Sequence, residues 1–417
     1  MLPRMFERDG FNVTFNTTEN CNLRCTYCYE INKKNKHLDI EKAKKFIDLL
    51  IKEDDPCGLD SDPTWKDSLK NKGITLDFIG GDSFMNVELL DQILTYWVQQ
   101  VNLIDNERTR NWKNNWKASI TTNGTLFSLQ EVRDFCMKWK RVLSPGISID
   151  GCPEIHDKCR IFPDGRGSMN EILKNWNWYK TNFPREAEST KATCAKASIP
   201  YLYDSLVFMH EKLGLTHINQ NFIMEDTGCT SEDYNLLEEQ LKKCADYCLK
   251  HRHELYWAIL SNDFATAHRS QGLDWNERGH CGSGAMPCLS VDGDIYPCFR
   301  WLPHTQHKEK VLCVGNVEEG FNHKENFYVV RHGSCRANCT KEQKCKGCEY
   351  ESACSYCIAG CYVENGDFIR TTHICEITKI QVKWARYYWS KYYELEGLPF
   401  DGDWSKLAND NKSIINT

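Results

Sequence analysis

FNVTFNTTENCNLRCTYCYE, residues 11–30 of a 417-residue chain, joins a short run of aromatic and β-branched residues to a loop dense in cysteine. Phe, Val and Thr over residues 11–17 suit a pleated, half-buried surface and predict a first strand. Cys21, Cys25 and Cys28 follow directly at the spacing Cys-x3-Cys-x2-Cys. Three thiolates so close together can hold three irons of a cubane 4Fe-4S cluster and leave the fourth iron open to another ligand. A structural zinc site would ask for a fourth Cys or His, and none lies close by in sequence. The plainer alternatives are a zinc site or a redox Cys-x2-Cys pair.

Outward from this loop, residues 11–225 alternate short apolar β-branched runs with longer amphipathic stretches, the mark of βα units and a parallel sheet. Strands are predicted at 11–17, 74–79, 118–122, 146–149, 189–195 and 217–223, and helices at 40–52, 87–101, 129–140, 169–181 and 202–213. Ser128 with Glu131, and Ser168 with Glu171, have the capping-box spacing at two helix starts. Six βα repeats imply a partial or complete barrel, with ligands at the C-terminal ends of the strands. A long helix is expected over 231–260, a polar linker over 261–280, and a closing amphipathic helix over 376–394 with Trp384, Tyr387, Tyr388 and Trp389.

The length exceeds what one core normally organises, so a large domain plus a smaller module is expected. The 52 basic and 58 acidic residues give a net charge of -6 and are mixed along the chain. There is no basic stripe to hold phosphate backbones, which argues against nucleic acid as a partner. Residues 1–10 are too polar for a signal peptide, and no apolar run reaches the ~18 residues of a membrane span. A cytoplasmic protein without membrane association is expected, and in that compartment 23 cysteines point to metal rather than to disulfides. They crowd between Cys281 and Cys375.

The string CNLRCTYC, with Tyr27 before its last cysteine, resembles the motif of the radical S-adenosylmethionine (SAM) superfamily. The resemblance implies that SAM chelates the unique iron and that reductive cleavage gives a 5'-deoxyadenosyl radical, which abstracts a hydrogen from substrate. Cofactor chemistry of this kind leaves orientation to the protein. Gly80, Gly81 and Asp82 follow the second strand where the family usually has Gly-Gly-Glu, and would hold the SAM ammonium. Thr122, Asn123, Gly124 and Thr125 follow the third strand, while Ser148 and Asp150 end the fourth. These resemble ribose and methionine contacts. The stretch His156-Asp157-Lys158-Cys159-Arg160 resembles the family's HDxxR element, whose arginine faces the SAM carboxylate. Taken singly, each of these polar residues suits a cap or turn equally well.

The spacings Cys281-x11-Gly293-x4-Cys298 and Cys345-x2-Cys348-x5-Cys354 resemble the SPASM extension, which carries two auxiliary 4Fe-4S clusters. By that pattern Cys281, Cys288, Cys298 and Cys361 would hold one, and Cys345, Cys348, Cys354 and Cys375 the other. Cys357 competes with Cys361, because the family expects three residues after Cys354 and here two precede Cys357. Cys335 and Cys339 are further candidates, and a zinc ribbon is the plain alternative for Cys345 and Cys348. The remaining cysteines, Cys57, Cys136, Cys152, Cys159, Cys194, Cys229, Cys244, Cys248 and Cys313, read as small buried hydrophobes.

The resemblance thus implies an α/β fold: a partial (β/α)6 TIM-like radical SAM barrel at 1–230, a helical linker at 231–279, a SPASM module at 280–376 and a C-terminal helix and tail at 377–417. It implies SAM and three 4Fe-4S clusters as cofactors. The partners would be a peptide or protein substrate, an electron donor such as flavodoxin or ferredoxin, and a separate leader-recognition protein, because the motif at Cys21 leaves no room for a leader-binding domain before the barrel. Two SPASM subfamilies compete. Anaerobic sulfatase maturases, which oxidise Cys or Ser to formylglycine, resemble the chain in the strings TTNGTL (121–126) and SIDGCPEIHDKCR (148–160). They place a catalytic Asp directly after the YPC cysteine, whereas Phe299 and Arg300 follow Cys298 here, so the expected general base is missing. A maturase of ribosomally made peptides that installs a thioether or carbon-carbon crosslink fits better. The tryptophans at 112 and 116 are either a peptide-recognition insert or packing on a helical flank. A non-enzymatic iron-sulfur electron-transfer protein is the remaining alternative.

Overall fold

A computed structural model describes residues 11–53, 55–58, 73–268, 282–305, 311–332, 348–354 and 357–404. Its first six strands are β1 (Phe11–Thr18), β2 (Ile74–Gly80), β3 (Trp116–Thr122), β4 (Leu143–Ile147), β5 (Ser189–Cys194) and β6 (His217–Phe222). The helices among them are α1 (Ile40–Lys52), α2 (Val87–Leu103), α3 (Glu107–Trp112), α4 (Gln130–Lys138), α5 (Pro153–Cys159), α6 (Met169–Asn182) and α7 (Leu202–Val207). All six expected strands form, each within a few residues of its predicted bounds.

These strands run parallel and in sequence order. One sheet holds β1 to β4, and another begins with β5 and β6. The two meet at a single parallel bridge, Ser148 to Lys191, reinforced by the Thr190 hydroxyl on the Ile147 carbonyl at 2.8 Å. Pro145 removes one ladder donor from β4, in keeping with the sparse pairing at this seam. The result is an α/β, six-stranded partial barrel.

After α8 (Ser231–Lys250) come β7 (Tyr256–Trp257), which pairs parallel with β6, and α9 (Asn262–Ala265). The second cysteine region supplies β8 (Cys288–Leu289), β9 (Asp294–Tyr296), β10 (Gly315–Asn316), α10 (Glu325–His332) and α11 (Ile358–Asn365), and α12 (Cys375–Leu395) closes the chain. Strand β8 pairs parallel with β1, placing Cys288 opposite Thr14. The second cysteine region is therefore stitched by main chain onto the strand that leads to Cys21.

Alternation decides which faces are buried. Phe15 packs edge-on against Phe46 of α1 at 5.3 Å and stacks on Phe78 at 5.5 Å, so odd positions of β1 face the helices. The opposite face carries the cross-strand row Thr14, Asp77, Ser119 and Ser144, with Ser148, Lys191 and Asn219 continuing it across the seam. A closed eight-stranded barrel fills this space with apolar layers. Here the inward face is polar, and Lys191 Nζ donates to the Thr121 hydroxyl at 3.1 Å.

Several local expectations need correction. Neither predicted capping box forms. Leu129 is the N-cap of α4, and the Ser128 hydroxyl turns back to the Thr125 carbonyl because residues 125–128 coil as a 3-10 turn. The Ser168 hydroxyl is taken by the Arg160 carbonyl at 2.7 Å and by His156 Nε2 at 3.1 Å. The helix expected over 231–260 stops at Lys250, and the chain reverses into β7. Its start carries a real capping box, Thr230 with Asp233.

The tryptophans near residue 112 are packing, which removes their reading as a recognition insert. Trp112 is fully buried between Phe11 and Trp97, and Trp116 lies against Trp97 and Trp139. Trp112→Ala is expected to cost about 3–5 kcal/mol in urea denaturation, through lost burial and the cavity left behind. A cost under about 1 kcal/mol would mean that this aromatic stack does not anchor the barrel.

Candidate active site

The loop after β1 is held by main chain on both sides. The amides of Arg24 and Thr26 donate to the carbonyls of Ile161 and Cys159, at 2.7 and 2.9 Å, and the Cys28 amide closes a turn onto the Cys25 carbonyl. Cys21, Cys25 and Cys28 are half-buried on this loop, and none of the described cysteines is in a disulfide. Burial, then the charge of Asp82, pushes the Cys21 thiol up to about 12. Cys25 is raised by burial as well. Thiolates at these positions call for a bound cation, as metal ligation by cysteine requires. The donor set therefore fits iron.

Gly80 and Gly81 let β2 end against this loop. A Cβ on Gly80, whose φ is +135°, would stand 1.9 Å from the Thr18 carbonyl oxygen, and one on Gly81 would stand 1.9 Å from that of Asn20. Both obstacles are backbone, so a side chain at either position must move the segment that starts the cysteine loop. Gly81→Ala is expected to fold yet incorporate iron poorly at Cys21, read as a drop in the reduced-cluster electron paramagnetic signal. Full iron incorporation would show that this approach is dispensable.

The third residue of that turn faces inward. The Asp82 carboxylate accepts from the Thr122 hydroxyl at 2.9 Å and from the amides of Asn123 and Phe84 at 2.8 and 3.1 Å. It is buried, and burial raises its carboxyl despite these donors. The Asn123 side chain in turn donates to Asn22 Oδ1 at 2.8 Å, and Asn22 donates to the Thr125 hydroxyl at 2.8 Å. The ends of β2 and β3 thus hold the cysteine loop through one polar network. Asn22 was not singled out from sequence; its place between Cys21 and Cys25 was the available signal.

A second network lies at the ends of β4 and β5. Asp150 is fully buried and accepts from Tyr27 Oη, from Arg160 Nε at 2.9 Å and from the Thr193 amide at 3.0 Å. The Arg160 guanidinium sits 5.5 Å over the Tyr27 ring. Burial opposes its charge, and Asp150 restores it. His156 accepts the Asp150 amide at Nδ1 and bonds Ser168 Oγ through Nε2; burial lowers it to about 4, leaving a neutral ring. Ser148 is buried beside them at the seam. The predicted SAM-contact residues Tyr27, Gly80, Gly81, Asp82, Asn123, Ser148, Asp150 and Arg160 therefore converge on the strand ends around the cysteine loop.

In the second module, Cys288, Cys298 and Cys361 share one buried cluster with Tyr296, Trp301 and Ile358. Cys354 approaches the first turn of α12, with Thr378 Oγ1 4.0 Å from its sulfur, and Cys375 begins that helix. Cys357 instead caps α11, its sulfur accepting from the Gly360 amide. Cys348 is half-buried, whereas Cys281, Cys335, Cys339 and Cys345 lie outside the described residues. Of the scattered cysteines, Cys229 and Cys313 are only half-buried and the others are buried as expected.

Two junctions between the loop and the second module escaped sequence reasoning. Arg300 lies 4.3 Å over the ring of Tyr29, the residue after Cys28, and pairs with Glu225 beyond β6. His304 stands buried between Glu19 and Glu30, with its nitrogens 3.8 and 3.7 Å from their carboxylates. Residues so far apart in sequence left no spacing to read.

No protein-family model matches the chain. An uncharacterized protein of Methanocaldococcus jannaschii is 28% identical over 207 residues, a match that spans 48% of this chain and 59% of that protein. A cysteine-type anaerobic sulfatase-maturating enzyme of Clostridium novyi is 26% identical over 352 residues, covering 81% of this chain and 84% of the relative. The fold resembles native anSMEcpe with bound AdoMet, at a TM-score of 0.63 and 16% identity over 93% of this chain and 99% of that one. It also resembles Streptococcus suis SuiB bound to its precursor peptide SuiA, at a TM-score of 0.54 and 15% identity over 87% and 75%. The Clostridium novyi relative is thus a sulfatase-maturating enzyme by name, and the chain shares the fold of the AdoMet-bound and peptide-bound structures. Among the described residues no helix is long and apolar enough to cross a membrane.

Proposed function

We propose that this chain, a radical SAM enzyme of the maturating type, modifies a ribosomally made peptide and installs a thioether or carbon-carbon crosslink. Cys21, Cys25 and Cys28 would hold the SAM-binding 4Fe-4S cluster. Gly80, Gly81, Asp82, Asn123, Ser148, Asp150, Arg160 and Tyr27 would surround SAM. When bound, the pair supplies a 5'-deoxyadenosyl radical that removes one hydrogen atom from the peptide. Two auxiliary clusters would be held by Cys281, Cys288, Cys298 and Cys361 and by Cys345, Cys348, Cys354 and Cys375. The burial of Cys361 beside Cys288 and Cys298 supports it over Cys357. An electron donor such as flavodoxin or ferredoxin, a separate leader-recognition protein and a cytoplasmic setting complete the reading.

The observation that carries the proposal is the occupant of the position directly after Cys298. Phe299, whose ring centroid lies 6.0 Å from that of Tyr29, stands where an acid would be needed as base for formylglycine formation, and Arg300 beside it is paired to Glu225. A phenyl ring has no basic atom to accept that proton, and the neighbouring guanidinium remains protonated throughout the working pH range. The polar inward face of β1 to β6 offers a peptide hydrogen-bonding groups rather than a packed core.

The similarity to the Clostridium novyi maturating enzyme favours a second reading, oxidation of a Cys or Ser to formylglycine. Product chemistry separates the two. A short Cys-rich peptide encoded beside the gene, incubated with reduced enzyme and SAM, is expected to lose two hydrogens and give fragments linked through a crosslink. A product that instead forms a hydrazone with a hydrazide reagent would carry an aldehyde and establish the second reading.

A further inference from the structure

We propose that His210, His251 and Glu254 bind one divalent transition-metal ion, zinc by the chemistry of the donors, at the end of the barrel opposite the cysteine loops. One ligand atom from each lies within 4.8 Å of the others. Two imidazole nitrogens and one carboxylate oxygen form a known three-residue zinc set that leaves a fourth position for water.

The chain brings them together from two elements. His210 sits in a π turn, residues 208–212, which continues α7. Such turns displace a side chain from the ordinary helical path and recur at functional sites. His251 is the residue that ends α8, and Glu254 lies in the turn after it. The two imidazole rings stand 4.9 Å apart, and His251 Nδ1 is 2.5 Å from Glu254 Oε1.

The surroundings prepare His210 as a ligand. Tyr247 Oη donates to Glu211 Oε1 at 3.1 Å, so its oxygen accepts from His210 Nδ1 at 2.7 Å. Nδ1 then carries the ring proton, and the Nε2 lone pair is available. A metal-bound histidine is characteristically oriented through its other nitrogen in this way, here by a carboxylate acting through a tyrosine. Glu254 is exposed, which gives an ion a path in.

The position excludes a part in the radical chemistry. The π turn precedes the start of β6 at His217, and residues 251–254 precede the start of β7 at Tyr256. Both strands run parallel to β1, at whose far end Cys21 lies. A zinc ion here clamps the end of α7 to the end of α8 and stiffens that flank.

The test uses the iron-loaded protein, equilibrated with excess zinc sulfate, gel-filtered and analysed for zinc, iron and the zinc X-ray absorption edge. Wild type is expected to retain about one zinc more per chain than His210→Ala or His251→Ala, in a nitrogen and oxygen shell near about 2.0 Å. Iron content should match in all three. Zinc should also raise the melting temperature of wild type but not of Glu254→Gln, an exposed substitution chosen to preserve the fold. Equal zinc in wild type and variants, or a shell dominated by sulfur at about 2.3 Å, would overturn the proposal, because cysteines would then be the ligands.

Discussion

Replacing Cys21, Cys25 and Cys28 together with alanine is expected to lower iron by about four per chain, the content of one cubane, and to reduce 5'-deoxyadenosine release to the level of a protein-free control. The variant should fold, since the loop is held by the amides of Arg24, Thr26 and Cys28 rather than by its sulfurs. Iron at the second module should remain, because Cys288, Cys298 and Cys361 are buried in their own cluster. Iron analysis and chromatography of the nucleoside read the two effects separately. Undiminished cleavage would refute the assignment of the loop, and loss of all iron would mean that the three sites form as one.

The second large effect concerns stability. Asp150→Ala leaves the Arg160 guanidinium buried without its carboxylate and strips partners from Tyr27 and the Thr193 amide. Removing one partner of a buried ion pair typically costs about 3–5 kcal/mol, because the surviving charge is left desolvated. Exposed pairs such as Lys44 with Glu41 should each cost no more than about 1 kcal/mol. Urea denaturation of Asp150→Ala is expected to show the larger loss, with Asp150→Asn falling between, since an amide keeps one acceptor. A loss below about 1 kcal/mol for Asp150→Ala would mean that Arg160 finds another anion, and that this network does not fix the end of β4.

The barrel was legible in sequence because it is local and periodic. Each strand from β1 to β6 is a short β-branched run beside an amphipathic stretch, and the cysteine loop needs only adjacent residues to declare itself. The order of Gly80, Asn123 and Asp150 along the chain also matched their place at successive strand ends, with Arg160 at the end of α5. Competition for single hydroxyls was not legible. Ser128 and Ser168 carry capping spacings, yet a 3-10 turn and a buried histidine claim them first. Trp112 and Trp116 read as aromatic patterning of either kind until the packing against Trp97 placed them in the core.

Contacts between distant segments were hidden altogether. Arg300 reaches Tyr29, and His304 reaches Glu19 and Glu30, only because β8 pairs with β1 and draws the second module over the loop. The same pairing sets Cys288 opposite Thr14, on the row that contains Asp77. No spacing rule relates these positions. The polar inward face likewise follows from register across six strands, which the alternation within any one strand does not specify.

The central claim is that the loop at Cys21 to Cys28 supports reductive cleavage of SAM. Anaerobically reconstituted protein, incubated with SAM and dithionite, is predicted to release 5'-deoxyadenosine in amounts that grow with time and enzyme. No release from protein whose iron content and reduced-cluster signal confirm an intact site at Cys21, Cys25 and Cys28 would contradict it.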